Sequence, residues 1–392
     1  MSGALAILEA LPSATDFYDL YWNRRPFIVR GAIPEEVMAG LISADELAGL
    51  ALEEGPQSRM IKTAGVARDW SCRFGPFSKE DFQAAGDANW SLLVQNVEQF
   101  HPKTAELLRY FDFAPRWLMD DVMVGYSTPG GSVGPHIDSY HVFLVQGQGR
   151  RRWTVGREAI VDEVYLQGLD LKVLAGDLDG EVIEVGCGDV LYLPPKFGHE
   201  GTTTEESLTF SVGFLGPKLS ELFGAYGQYL SELEDRDQRY VGDGLSPDSA
   251  GFQIGEAAAG DLGERFAAHL RSPEFSEWLV AFFSESGHPD VDTYGEREDM
   301  MSPQAFAEKL RHGAVLIKPE YVKLALTASP SGAFCLGFHG QSTNLDDGLV
   351  ALVRILMKEQ PVDLAATPEL VDDPATLEFL LGLYKYQVVE FR

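Results

Sequence analysis

His136-Ile137-Asp138-Ser139-Tyr140-His141-Val142-Phe143-Leu144-Val145 sets a histidine and an aspartate directly before a β-prone apolar run. The segments around it repeat the strand signal. Upstream, Val122, Val124 and Tyr126 alternate until Thr128-Pro129-Gly130-Gly131 breaks the run. Downstream, Gly147-Gln148-Gly149 turns into Arg152-Trp153-Thr154-Val155. Three runs follow: Glu181-Val182-Ile183-Glu184-Val185, Val190-Leu191-Tyr192-Leu193 and Leu208-Thr209-Phe210-Ser211-Val212. Short strands in close succession, punctuated by glycine and proline, predict an antiparallel jelly-roll barrel.

In an extended segment His136, Asp138 and Tyr140 project to one face, and Ile137, Ser139 and His141 to the other. An imidazole and a carboxylate can thus sit side by side, and His141 is read as a non-ligand. The partner segment is Gly188-Asp189-Val190-Leu191-Tyr192-Leu193-Pro194-Pro195-Lys196-Phe197-Gly198-His199. A Gly-Asp turn starts a strand, the two prolines stop its ladder, and His199 is expected at a strand-end loop. Two imidazoles and a carboxylate can occupy one face of six-coordinate Fe(II), leaving positions for a cosubstrate and O2. That pattern predicts an oxygenase; the competing reading is structural histidines that satisfy core hydrogen bonds.

Such oxygenases need two electrons from a second substrate. An α-keto acid can chelate the metal, and its far carboxylate then requires a cation and hydroxyl donors inside the barrel. Arg150-Arg151-Arg152 supplies candidates, with Arg151 facing opposite to its two neighbours. Ser127 could add a hydroxyl.

A chain of 392 residues exceeds what one core usually supports. Residues 1–216 read as helices, including one at 16–22, followed by strands, the first at 27–30. Residues 217–303 turn helical: Leu219, Leu222, Phe223, Tyr226, Leu230 and Leu233 share one face. Phe275, Trp278, Leu279, Phe282 and Phe283 share another, after Ser272 as N-cap and Pro273. The acidic, Gly-rich stretch 242–263 is expected to be a loop, and the aromatic stripes serve either as core or as a dimer seam. Residues 304–392 mix short helices and strands in an order compatible with a winged helix. There, 11 acids face 8 bases, which argues against DNA binding.

Sixty acidic against 31 basic residues give a net charge of −29. Such a surface repels phosphate backbones and anionic lipid and attracts a basic protein. Cys72, Cys187 and Cys335 show no disulfide framework, which fits a reducing cytosol. The opening Met1-Ser2-Gly3-Ala4-Leu5-Ala6-Ile7-Leu8-Glu9 lacks a basic n-region, and no apolar run approaches membrane-spanning length. A cytoplasmic protein is expected.

The stretch Val124-Gly125-Tyr126-Ser127-Thr128-Pro129-Gly130-Gly131-Ser132-Val133-Gly134-Pro135-His136-Ile137-Asp138-Ser139-Tyr140 resembles the bacterial JmjC ribosomal oxygenases of the cupin superfamily. Gly149-Arg150-Arg151-Arg152-Trp153, Leu191-Tyr192-Leu193-Pro194-Pro195, His199-Glu200-Gly201 and the early Tyr21-Trp22 with Arg25-Pro26-Phe27 extend the resemblance. It implies an α+β chain: a double-stranded β-helix (jelly-roll) barrel, a helical dimerisation segment and a winged-helix domain. It implies His136, Asp138 and His199 as iron ligands, Arg151 with Ser127 on 2-oxoglutarate, and O2 as the other cosubstrate. Asp121, Met123, Tyr140 and Ser211 are implied as a pocket for an arginine of a basic large-subunit ribosomal protein. The rival reading of Asp121 is a capping or turn residue beside Asp120. Lys196 departs from the family, which often has glycine there. The alternatives are a protein histidyl hydroxylase of the same class and a non-catalytic cupin that binds a partner.

Overall fold

The computed structural model describes residues 5–64, 69–233, 239–242, 245, 247, 251–285, 295–358, 362–364 and 368–392. Met1 to Ala4, and parts of the expected loop at 242–263, lie outside the described residues. The chain divides into two compact units, with the break between Gly216 and Pro217.

The first unit holds twelve described strands. They are β1 Ala6–Leu8, β2 Phe27–Val29, β3 Ser58–Ala64, β4 Asp69–Phe74, β5 Trp90–Val94 and β6 Met119–Ser127, then β7 His141–Gln148, β8 Arg151–Ala159, β9 Gly180–Val185, β10 Val190–Leu193, β11 Phe197–Thr203 and β12 Ser207–Phe214. Nine form one sheet in the order β1-β2-β10-β7-β12-β6-β5-β3-β4, and β11-β8-β9 form a smaller one. Only β1 and β2, of these described pairings, run parallel.

Alternation along β7 and β10 feeds two cores. Phe143, Val145, Val190 and Tyr192 face one cluster, joined by Phe17, Phe27, Phe210 and Phe214. Val142, Leu144, Leu191 and Leu193 face the other, against Trp153, Val155 and Val185 of the smaller sheet. Each large side chain so buried contributes about 1.5–3 kcal/mol, which fixes the register because a one-residue slip would exchange the two faces. The second core is the inside of the barrel, and it ends in a cavity.

Three expectations needed correction. His136 to Tyr140 form no strand: His136 makes an isolated bridge to His199, and β7 begins at His141. His199 lies within β11 rather than at a strand-end loop, just past a register shift between Phe197 and His199. Part of the expected loop is the helix Glu256–His269, whose alanines outweigh its glycines as helix formers.

In the second unit, helix Pro273–Ser284 begins with Ser272 accepting from the Phe275 N–H. Its Val280 packs on Ala325 and Cys335 of the antiparallel strands β14 Leu324–Ala328 and β15 Phe334–Phe338. The preceding β13 is Leu316–Ile317; β16 Gln341–Leu345 completes the sheet, and β17 Glu390–Phe391 pairs with β13. Helices Pro303–Arg311, Asp347–Leu356 and Pro374–Lys385 enclose a core built on Phe306, Leu336, Val353 and Leu380. No helix among the described residues is long and apolar enough to cross a membrane.

Candidate active site

One atom each from His136, Asp138 and His199 lies within 4.8 Å of the other two. The backbone holds them there. The His136 N–H donates to the His199 carbonyl at 3.0 Å and the His199 N–H to that of His136 at 2.9 Å. The loop carrying Asp138 is tied down separately, its carbonyl accepting from the Lys196 N–H at 2.7 Å. Gly134, at φ +81°, permits the approach, because a Cβ there would meet Trp70 and Val173 at 3.0 Å.

The tautomers follow from the acceptors. His136 Nδ1 lies 2.9 Å from the Gly134 carbonyl and His199 Nδ1 lies 3.0 Å from that of Phe197. A carbonyl only accepts, so each Nδ1 carries a proton, which leaves Nε2 as the nitrogen that can face a metal. His199 Nε2 stands 3.5 Å from Asp138 Oδ2. Burial, and then the neighbouring His136, push the His199 imidazole down to about 4, so it is neutral at physiological pH. Two imidazoles whose rings are oriented by backbone carbonyls, together with a carboxylate, fit a divalent metal such as Fe(II).

Behind the trio lies a cavity of about 330 Å³, lined by all three residues together with Arg151, Met123, Tyr140 and Ser211. Arg151 is 4% exposed, while Arg150 and Arg152 face solvent, as alternation requires. Its Nη2 donates to the Gly201 carbonyl at 3.2 Å, its guanidinium lies 4.8 Å over the Trp153 ring, and its Nε is buried with no hydrogen-bond partner. Burial lowers its pKa to about 10, so the charge persists. A buried cation on the wall of a cavity fits the far carboxylate of 2-oxoglutarate.

Ser127 and Asp121 do not line this cavity. Ser127 faces the right way but lies one step deeper: Gly125 and Thr209 pair on the lining rung, Ser127 and Ser207 on the next. Its hydroxyl is 2.7 Å from Ser91 Oγ, and both residues are fully buried. Asp121 sits beside Gly213, where an added Cβ would be 3.3 Å from Asp121 Oδ1 and 3.5 Å from Tyr140 Cε2. His141 points elsewhere. It stacks on Trp22 at 3.4 Å, and its Nδ1 is 2.8 Å from the Tyr192 hydroxyl. The sequence reading missed Arg59, Ile61, Leu93 and Thr209 in the lining. The first three ride on β3 and β5, whose β-prone runs Met60-Ile61-Lys62-Thr63 and Leu92-Leu93-Val94 were the available signal.

This barrel and trio define a JmjC oxygenase of the cupin fold, and the JmjC domain family matches residues 106–222. The ribosomal protein uL16 3-hydroxylase of Escherichia coli is 36% identical over 306 residues, which are 77% of this chain and 79% of that one. A probable ribosomal oxygenase of Haemophilus influenzae is 39% identical over 204 residues, 52% of this chain and 49% of that one. The solved structure of a ribosomal oxygenase from Escherichia coli with cobalt and 2-oxoglutarate superposes with a TM-score of 0.79 at 30% identity, covering 96% of this chain and 98% of that one. The chain belongs to the JmjC ribosomal oxygenases, and is an oxygenase of the metal- and 2-oxoglutarate-dependent class.

Proposed function

We propose that the protein hydroxylates an arginine side chain of a basic large-subunit ribosomal protein, using Fe(II), 2-oxoglutarate and O2. The observation that carries this reading is a single cavity lined by the His136, Asp138, His199 trio, by Arg151 and by Met123, Tyr140 and Ser211. Iron with 2-oxoglutarate and O2 supplies the oxidising power to insert oxygen into an unactivated C–H bond. The protein's own part is positional. His136, Asp138 and His199 hold the metal, their Nδ1–H bonds fixing the rings. Arg151 meets the far carboxylate, with Ser127 as second donor once its hydroxyl turns from Ser91. Asp121 pairs with the guest guanidinium, the Tyr140 ring lies against it, and Met123 and Ser211 shape the wall. Burial raises the Tyr140 phenol, followed by Asp138 and Asp121, so it remains a neutral donor.

The net charge of −29 favours a basic substrate over nucleic acid and argues against direct DNA binding, and a cytoplasmic location is proposed from the ribosomal substrate. Residues 217–303 are proposed to pair two copies, supported by the exposed Leu219, Phe223 and Phe266, and 304–392 to form a winged helix. Light scattering of the purified protein tests the dimer.

The deciding experiment is incubation with Fe(II), 2-oxoglutarate and ribosomal proteins, read by mass spectrometry. One added oxygen on an arginine is expected. An added oxygen on histidine would make the protein a histidyl hydroxylase. No mass shift on any ribosomal protein, with succinate still forming, would remove the substrate while leaving the enzyme class.

A further inference from the structure

Arg59 is a cavity-lining guanidinium for which the proposed chemistry has no use. It sits on β3 opposite Leu93 of β5; Leu93 pairs with Gly125 of β6, and Gly125 with Thr209 of β12. All four line the cavity, so Arg59 ends a continuous rung across its wall. Its Nη2 reaches the thioether sulfur of Met123 at 3.8 Å, a weak acceptor, and its Nε is buried with no partner. It is also close enough to Tyr140 to counter the carboxylates acting on that phenol. Met123 and Tyr140 are two of the residues assigned above to the guest side chain.

We propose that Arg59 grips the substrate main chain, its guanidinium donating to backbone carbonyls of the segment that carries the hydroxylated residue. The inference rests on the reading that a ribosomal protein enters this cavity. A substrate segment that fills the cavity strips water from Arg59, and each donor then left without an acceptor is costly. The guest guanidinium cannot serve, because two cations repel. Carboxylate side chains are scarce in a basic substrate. A backbone carbonyl is what every residue of the segment offers. Lys172, the other cation of the outer wall, is exposed and stays hydrated, so the demand falls on Arg59.

The test is fluorescence anisotropy of labelled uL16 with protein loaded with Mn(II) and 2-oxoglutarate, in the absence of O2. Arg59→Met is expected to weaken uL16 binding about ten- to a hundredfold, the scale of one charge-assisted hydrogen bond. Arg59→Lys should restore part of it, and 2-oxoglutarate affinity should stay within twofold of wild type. Binding of uL16 by Arg59→Met within twofold of wild type would overturn the proposal. So would a loss of 2-oxoglutarate affinity as large as the loss for uL16, which would put Arg59 on the cosubstrate. If Arg59→Met does not fold, Arg59→Gln is judged by the same criteria. Wild-type protein that binds no uL16 would instead remove uL16 as the guest and overturn this inference, while the ribosomal reading itself is judged by the mass spectrometry above.

Discussion

Lys196 donates its backbone N–H to the Asp138 carbonyl at 2.7 Å while holding φ at +66°, in the left-handed region. The same residue's carbonyl accepts from the Ile160 N–H at 2.9 Å. The glycine that the resemblance leads one to expect at this position would meet a backbone requirement, met here by a lysine in the left-handed region. A left-handed lysine costs about 1–2 kcal/mol, and glycine in its place gives part of that back through greater freedom in the unfolded chain. Lys196→Gly should leave stability unchanged or raise it by up to about 1 kcal/mol, whereas Lys196→Val should lower it by about 1 kcal/mol or more. Equal losses for both variants in urea denaturation would show that the lysine side chain, not the backbone angle, matters.

Gly201 makes room for Arg151. An added Cβ would lie 2.5 Å from Arg151 Nε and 2.7 Å from Trp153 Cζ3. Gly201→Ala should displace the guanidinium and reduce 2-oxoglutarate affinity about tenfold or more, the scale of one lost charge-assisted bond. Mn(II) binding, measured by titration calorimetry, should persist. Unchanged 2-oxoglutarate affinity would argue against Arg151 as the carboxylate's partner.

Removing one ligand of the trio should be far more severe. Asp138→Ala is expected to lower Mn(II) affinity by more than about a hundredfold, since even supporting residues around metal ligands are worth 10–100-fold. The circular dichroism spectrum should be retained, because Asp138 contributes its backbone carbonyl, not its side chain, to the Lys196 bond. Tight Mn(II) binding by this variant would place the metal elsewhere.

His141 gives the fold a pH dependence separate from the metal. Burial lowers its folded pKa to about 4, against about 6.5 in the unfolded chain. Between these values the unfolded state holds the extra proton, so stability present above about pH 6.5 is lost as pH falls toward 4. His141→Gln can keep a hydrogen bond to the Tyr192 hydroxyl but cannot titrate. The stability advantage of wild type over this variant should shrink across that window. A difference that stays constant from pH 7 to pH 4 would exclude the effect.

The trio was legible in the sequence because metal ligands are rare residue types at a readable spacing. Arg151 was legible because alternation on a strand obeys a period of two. Parity, however, fixes which face a side chain takes, not how deep it lies. Ser127 points inward as expected, yet sits one rung below the cavity with its hydroxyl on Ser91. His136 and Asp138 came together through a bridge to β11 rather than through a strand of their own, a long-range pairing that no local pattern encodes.

The sequence by itself determined the barrel, the likeness to JmjC ribosomal oxygenases, the three ligand candidates and the inward arginine. Each of these is written in local chemistry, as strand alternation, proline stops and ligand spacing. Only the tertiary structure decided that Arg59 and Leu93 from β3 and β5 wall the cavity, that Gly201 is the space Arg151 occupies, and that Lys196 clamps the Asp138 loop. These are contacts between segments distant in the chain. They exist only once hydrophobic burial has set the register of the sheets, so local patterns can mark a strand but not which strands meet.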